Sequence, residues 1–136
     1  MEPKKRILCV SESDDTCFLI SNLLRQADYD VVTAPGIEDA LSLIASGHFC
    51  LYVLGKRYAD RSALVLCRRI RERDAETPVI FYSGDAHASS EREALAAGVQ
   101  AYILEPYLNE LLETINLLFE EKTVAADQKG GATWRS

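Results

Sequence analysis

Five short apolar runs alternate with five segments of helical periodicity over the first 121 residues, and this alternation constrains the fold more than any other feature. Runs of four or five apolar residues favour strands, and the amphipathic segments between them favour helices. Strict strand–helix alternation predicts a doubly wound α/β sheet with right-handed crossovers and helices on both faces. The predicted strands are 7–10, 29–33, 51–55, 78–82 and 101–104.

The third run is the predicted centre of the sheet. It is apolar from Leu51 to Leu54 and bounded by polar residues, which is typical of a parallel strand buried on both faces. Reactive groups in such sheets lie beyond the carboxyl ends of the strands. Gly55 occupies that place here, and Lys56 and Arg57 follow it. The third strand therefore presents no reactive side chain at its end.

Several residues predict where the helices begin and end. Ser13 is a favourable N-cap, and Asp14 and Asp15 suit the first turn, where the helix dipole favours negative charge. The other predicted boundary signals are Gly47, Ser62, a capping box over 90–93, and Gly98.

Length and composition fit one domain of 136 residues. No apolar run approaches the roughly 20 residues that span a bilayer, and no signal-peptide core follows the basic N-terminus, so we expect a cytoplasmic protein. The four cysteines lack CxxC spacing, which predicts buried thiols in a reducing compartment. His48 and His87 lie far apart, and we expect no metal site on them.

Charge is unevenly distributed around a net value of −6. The segment 56–73 carries a net charge of +5, and the segment 85–121 carries −7. The overall acidity argues against a nucleic-acid-binding protein. The arginines of the predicted third helix form a solvated face, or alternatively meet an acidic partner or the acidic face of a second copy.

Motifs along residues 6 to about 121 resemble the receiver domain of bacterial two-component response regulators. They are Ile7-Leu8-x-Val10, Tyr29-x-Val31-x-x-Ala34, 38–41 (Glu-Asp-Ala-Leu), Pro78-Val79-Ile80-x-x-Ser83, and the stretch 97–106 that ends at Pro106. The resemblance implies a flavodoxin-like fold with strand order 2-1-3-4-5. It leaves 1–5 as an N-terminal extension and 122–136, where periodicity is lost, as a flexible tail.

The resemblance also implies where a phosphorylation pocket would lie. In the family, an aspartate at the end of the third strand accepts a phosphoryl group, two acidic residues hold Mg²⁺, and a hydroxyl and a lysine engage the phosphoryl oxygens. The acceptor position falls on Gly55, the acidic pair on Ser11 and Glu12, the hydroxyl on Ser83 and the lysine on Glu105. Only Ser83 and, loosely, Glu12 keep their chemical type. This pattern predicts a degenerate pocket that is neither phosphorylated at the usual position nor loaded with Mg²⁺.

Two arrangements of the remaining charges stay open. Glu12 and Glu105 could share a cation, or Lys56 or Arg57 could turn inward and neutralise them, since buried like charges are costly unless paired. An unchanged melting temperature in Glu105→Lys would contradict the paired arrangement.

The resemblance further implies a switch. Ser83 and Tyr102 fall on the hydroxyl and aromatic positions that rearrange together in the family and reshape the face formed by helix four, strand five and helix five. Tyr102, Pro106, Glu110 and Glu113 are the predicted residues of this face. The alternative is that Tyr102 is an ordinary half-buried strand aromatic with its hydroxyl at the surface.

The predicted function is a phosphorylation-independent, receiver-like interaction module in signal transduction, not an enzyme. We expect a basic protein partner, no nucleic acid and no membrane, with a homodimer left open. One alternative is a receiver that responds to phosphate or another ligand through a non-standard acceptor. A small flavodoxin-like enzyme or nucleotide binder is less well supported, since Ser11-Glu12-Ser13 replaces a glycine-rich phosphate loop.

Overall fold

The computed structural model describes residues 3–56 and 61–127, without the side chains of 56 and 122–127. Strands and helices alternate through the described residues, as predicted. The elements are β1 (Arg6–Val10), α1 (Asp14–Gln26), β2 (Asp30–Ala34), α2 (Ile37–Ser46), β3 (Leu51–Lys56), α3 (Ser62–Arg73), β4 (Val79–Ser83), α4 (Ala88–Ala96), β5 (Ala101–Leu104) and α5 (Leu108–Asp127).

All strand pairs are parallel, and the sheet order is β2-β1-β3-β4-β5, which confirms the predicted flavodoxin-like topology. Strand β3 pairs with β1 and β4, and its residues from Leu51 to Leu54 are buried, as expected for the central strand. Strand β2 lies at one edge. The register places Val10 opposite Leu54, so that Ser11 and Gly55 emerge side by side at the carboxyl edge.

Alternate residues of the strands point to opposite faces of the sheet and belong to two separate hydrophobic cores. One core packs Leu8, Leu54 and Phe81 against helices α2, α3 and α4. The other packs Cys9, Val53 and Ile80 together with apolar residues of α1 and α5. The sheet is therefore buried on both faces, and its loops at the carboxyl edge are held by five packed helices.

The predicted helix boundaries are partly correct. Ser13 caps α1 through its hydroxyl, which accepts a hydrogen bond from the Thr16 amide at 3.2 Å. Gly98 has a φ of +106° just after α4, a conformation that glycine adopts without strain. Helix α3 begins at Ser62 itself, with Arg61 as its N-cap.

The predicted end of α2 at Gly47 is correct, since the helix ends at Ser46 and Gly47 is its C-cap; its φ of −151° is extended and not the left-handed value of a C′ residue. The predicted start of α4 is wrong. Helix α4 begins at Ala88, two residues before the predicted capping box, and its N-cap, His87, makes no capping hydrogen bond to the helix through its side chain. The physical reason is that the Ser90 hydroxyl donates instead to the Asp85 carboxylate, at 2.6 Å.

Helix α5 extends to Asp127, past the predicted end of the domain at 121. Residues 122–127 were predicted to belong to a flexible tail, and the structure places their backbone in this helix. The remaining part of that predicted tail, 128–136 with Trp134, lies outside the described residues, as do Met1 and Glu2 of the predicted N-terminal extension.

Candidate functional site

The residues predicted for the degenerate pocket lie along the carboxyl edge of the sheet. Ser11 follows β1, Gly55 is the penultimate residue of β3, and Ser83 ends β4. Glu105 follows β5, and its backbone amide donates to the Ser83 carbonyl at 2.8 Å. We call Ser11, Glu12, Gly55 and Glu105 the strand-three pocket.

The space beside Gly55 is filled by Ser11. A Cβ added to Gly55 would lie 3.0 Å from both Cβ and Oγ of Ser11, and 3.3 Å from the Val10 carbonyl oxygen. The Ser11 hydroxyl is itself held, because it accepts a hydrogen bond from the Ser13 amide at 3.1 Å. A side chain at position 55 would therefore require Ser11 to shift by a few tenths of an ångström.

A cavity of about 420 Å³ opens beside this contact, between β1, β3 and the beginnings of α1, α2 and α3. Its apolar wall includes Leu54, Ala63 and Leu66. Hydroxyl groups and carboxylates also line it. They belong to Ser11, Ser13, Thr16 and Ser62, and to Glu12, Glu38 and Glu105.

The three carboxylates of the cavity belong to exposed residues. Asp14 and Asp15 do not line it, since they lie in the first turn of α1, where the sequence placed them. Arg57 and the Lys56 side chain, the predicted charge partners of Glu12 and Glu105, lie outside the described residues. Among the described residues, no group of three or more His, Cys, Asp or Glu side chains is placed to hold a metal ion.

Ser83 belongs to a separate hydrogen-bonded group at the end of β4. Its hydroxyl oxygen accepts from the Asp85 amide at 2.9 Å and lies 3.1 Å from the Tyr102 hydroxyl, within hydrogen-bond distance. The Tyr102 hydroxyl donates to the Asp85 carbonyl at 2.7 Å. Tyr102 is half-buried, as the alternative predicted, but its hydroxyl is hydrogen-bonded within the domain.

The Asp85 side chain extends this group toward α4. The residue is buried, with 4% of its surface exposed. Its carboxylate accepts from the His87 amide at 3.0 Å, contacts His87 Nδ1 at 2.7 Å and accepts from the Ser90 hydroxyl. We call Ser83, Asp85, His87, Ser90 and Tyr102 the Ser83 network.

Burial raises the pKa of Tyr102 above its usual value; the Ser83 hydrogen bond opposes this rise, and the negative charges of Asp85 and Glu91 add to it. The phenol is thus neutral at physiological pH and can serve as a hydrogen-bond donor. Asp85, His87 and Ser90 were not predicted as site residues. The sequence feature that could have indicated them is Asp85 itself, an acidic residue two positions after Ser83. Its carboxylate can accept hydrogen bonds from the loop that follows the strand.

The other residues predicted for the interaction face are at the surface. Pro106, which follows a cis peptide bond, and Glu110 and Glu113 of α5 are exposed, and 58% of the neighbouring Tyr107 is exposed. The arginines of α3 divide into two kinds. Arg71 donates to the Gly98 carbonyl from two nitrogens, whereas Arg68, Arg69 and Arg73 are exposed.

The cysteine prediction holds for two residues. All four thiols are free, and Cys9 and Cys67 are buried, but Cys17 and Cys50 are only partly buried. Within the part of the chain that the structure describes, no helix combines the length and apolar character that crossing a membrane requires.

Comparison with known proteins agrees with this geometry. The family model described as the response regulator receiver domain matches residues 7–116. The chain belongs to this family. A transcriptional regulatory protein, DltR of Streptococcus agalactiae, is 32% identical over 113 residues, which cover 82% of this chain and 50% of the relative. The chain thus spans about half the length of the DltR proteins that it matches.

A relative of similar size is the chemotaxis protein CheY of Pseudomonas aeruginosa. It is 29% identical to this receiver domain over 119 residues, which cover 85% of this chain and 96% of CheY. A CheY-like receiver domain from Methanospirillum hungatei superposes with a TM-score of 0.80 at 25% identity, over 88% of this chain and 97% of the other.

A response regulator structure solved as a complex is also similar. The response regulator TrrA from Thermotoga maritima, in complex with Mg²⁺ and beryllofluoride, superposes with a TM-score of 0.74 at 26% identity. The match covers 84% of this chain and 98% of TrrA. This chain therefore has the receiver fold of its family, which belongs to two-component regulation.

Proposed function

We propose that this receiver domain is a protein-interaction module whose binding does not depend on phosphorylation at the third strand. The observation that carries the proposal is that Gly55, with Ser11 beside it, is the penultimate residue of β3. An acyl phosphate requires a carboxylate nucleophile, and Gly55 supplies none. Ser11 also occupies the space into which a side chain at that position would grow.

The charges of the strand-three pocket support the same proposal. Phosphoryl transfer depends on neutralising the negative charge of the transferred group. Glu12, Glu38 and Glu105 line the cavity beside Gly55, and its described lining residues include no lysine or arginine. A phosphoryl group there would meet carboxylates in place of a cation, so the proposal includes neither bound Mg²⁺ nor catalysis.

The Ser83 network supports a fixed state of the interaction face. The hydroxyl that would engage a phosphoryl group is already bonded to the Asp85 amide and to Tyr102. Tyr102 is held inward from β5 by the Asp85 carbonyl. In this proposal the face formed by α4, β5 and α5 is presented without an activating event.

We place the partner of this cytoplasmic signalling module on that face. Glu110 and Glu113 are exposed there, so a basic protein surface is the complementary partner. Nucleic acid and membrane are not proposed as partners, and a homodimer remains an alternative to a different protein.

The experiment is affinity capture from native extract, using the full chain as bait with and without acetyl phosphate and Mg²⁺. We expect a captured protein that is lost with Glu110→Lys/Glu113→Lys and unaffected by the phosphodonor. Glu72→Lys/Glu76→Lys is the matched control, since both glutamates are exposed on another side of the domain. Capture that requires the phosphodonor would contradict the proposal.

The cavity favours a second candidate, in which the domain responds to phosphate or another small ligand. Its volume of about 420 Å³ falls within the range of small-molecule sites, roughly 300–1,000 Å³. A rise in melting temperature with orthophosphate that Ser62→Ala reduces would support this candidate. An unchanged melting temperature would exclude orthophosphate as the ligand in this second candidate.

A further inference from the structure

Helix α3 presents a basic stripe to solvent. Four exposed residues follow one another at intervals of three or four positions, so they are neighbours along one side of the helix. They are Val65, Arg68, Arg69 and Arg73, and we call them the α3 stripe. Glu72 is exposed among them, which leaves the stripe with a net positive charge. Within the described part of the chain, no salt bridge joins these three arginines to an acidic side chain.

Helix α5 presents the opposite charge in the same pattern. Its exposed residues at intervals of three or four positions are Glu110, Glu113, Leu117 and Glu120, and we call them the α5 stripe. The described residues place no lysine or arginine in a salt bridge with these glutamates. Each stripe also exposes one apolar side chain among its charges: Val65 is 43% exposed and Leu117 is 55% exposed. The two stripes are therefore complementary in charge, and each can bury apolar surface.

The acidic residues of the other helices are less suitable for pairing with the α3 stripe. Asp14 and Asp15 are confined to the first turn of α1, where the helix dipole already stabilises them, and Arg25 follows in the last turn. Glu38 and Asp39 occupy the first turn of α2 in the same way. The acidic side chains of the α5 stripe extend over several turns, and no lysine or arginine stands between them in the sequence.

The two stripes lie on opposite faces of the sheet. Helix α3 packs into the core that contains Leu8 and Phe81, whereas α5 packs into the core that contains Cys9 and Ile80. A contact between α3 of one copy and α5 of another is therefore heterologous, and it leaves one stripe unused at each end of the pair. Heterologous contacts form rings or open chains.

We propose that the α3 stripe of one copy of this chain binds the α5 stripe of a second copy, head to tail. The inference rests on the proposed function, since it names a second copy as the basic partner of the α5 side of the interaction face. The net charge of −6 repels copies that approach in other orientations, so the paired stripes also fix the orientation. A contact made by one helix of each copy belongs to the small, transient class, and we expect association that grows with concentration.

Sedimentation of the full chain over a concentration series tests this contact. We expect the average mass of wild type to exceed that of a dimer as concentration rises, and to return to that of a monomer in about 1 M salt, where the screening length is about 3 Å. Arg68→Glu/Arg69→Glu and Glu113→Lys/Glu120→Lys should each remain monomeric at every concentration. The second variant is closer to zero net charge than wild type, so general repulsion cannot explain its loss of association.

Exchange of the charges between the stripes provides the matched control. A variant that carries all four substitutions has the net charge of wild type, and it should regain association, as should an equimolar mixture of the two double variants. All four positions are exposed, so circular dichroism should show the same fold in every variant. A wild-type chain that stays monomeric, a mass that stops at a dimer, or a fourfold variant that does not associate would overturn the inference.

The failure of this inference is distinguishable from the failure of the proposed function. If wild type stays monomeric while Glu110→Lys/Glu113→Lys abolishes the capture of a different protein, the inference fails and the proposed function stands. Association that appears only with acetyl phosphate and Mg²⁺ would contradict both.

Discussion

The strand-three pocket and the Ser83 network lie on adjacent strands of the same sheet edge, and they are built differently. In the pocket, Gly55 has no side chain, Ser11 fills its place, and Glu12 and Glu105 are exposed. In the network, the hydroxyls of Ser83, Ser90 and Tyr102 and the carboxylate of Asp85 are all hydrogen-bonded. The contrast is thus between side chains fixed by hydrogen bonds at the end of β4 and exposed carboxylates around the end of β3.

Asp85 should show the largest difference between the two regions. Asp85→Ala removes a buried carboxylate with three hydrogen-bonded groups, and we expect a loss of about 2–3 kcal/mol in the free energy of unfolding. Glu105→Gln, in the pocket, should cost about 0.5 kcal/mol or less because the residue is exposed. Urea denaturation measures both values. Equal losses of unfolding free energy in the two variants would show that the Ser83 network is no more stabilising than the strand-three pocket.

Gly55→Ala probes the filled space beside the third strand. The added Cβ would lie 3.0 Å from Ser11, so we expect a loss of about 1–2 kcal/mol in the free energy of unfolding. A double-mutant cycle with Ser11→Gly should show a favourable coupling of about 1 kcal/mol, since the glycine removes the contacting atoms. Additive effects would show that Ser11 does not limit this position.

Tyr102→Phe tests the hydroxyl of the network with little change in packing. Loss of the bond to the Asp85 carbonyl should cost about 1 kcal/mol of stability. Tyr107→Phe is the control, because 58% of Tyr107 is exposed; its effect should stay within about 0.5 kcal/mol. Chemical denaturation of the two variants under the same conditions provides the comparison.

The titration of Tyr102 gives the smallest signal. Its pKa is raised by burial, so the stability that the neutral phenol contributes is present below the unfolded pKa of about 10. This stability is lost as pH rises through the folded pKa. The difference in ultraviolet absorbance between wild type and Tyr102→Phe during an alkaline titration should show a midpoint above that of a free tyrosine. A midpoint at the free value would mean that the phenol is not held inward.

The periodicity of the sequence predicted the alternation of strands and helices and the two-sided burial of the sheet, because alternation and apolar runs depend on local composition. The strand order came from the resemblance to receiver domains. Ser13 at the start of α1 was predicted for the same reason, since capping needs only its own neighbours. The start of α4 was not, because the Ser90 side chain bonds to Asp85, which lies before the helix. Such competition between two hydrogen-bond partners of one hydroxyl is visible only once the loop has folded.

The candidate site was predicted in its positions but not in its contacts. The resemblance placed Ser11, Gly55, Ser83 and Glu105 at one sheet edge, where the structure finds them. It gave no sign that Ser11 would fill the space at Gly55, since that contact depends on the register of β1 and β3.

The most direct test of phosphorylation independence exposes the full chain to acetyl phosphate with Mg²⁺, and separately to beryllofluoride with Mg²⁺. Intact mass and melting temperature are measured, with a receiver that has an aspartate at the end of its third strand as the positive control. We predict no phosphoryl adduct on this chain and no Mg²⁺-dependent change in its melting temperature. A stable phosphoryl adduct, or a Mg²⁺-dependent rise in melting temperature with beryllofluoride, would contradict the account.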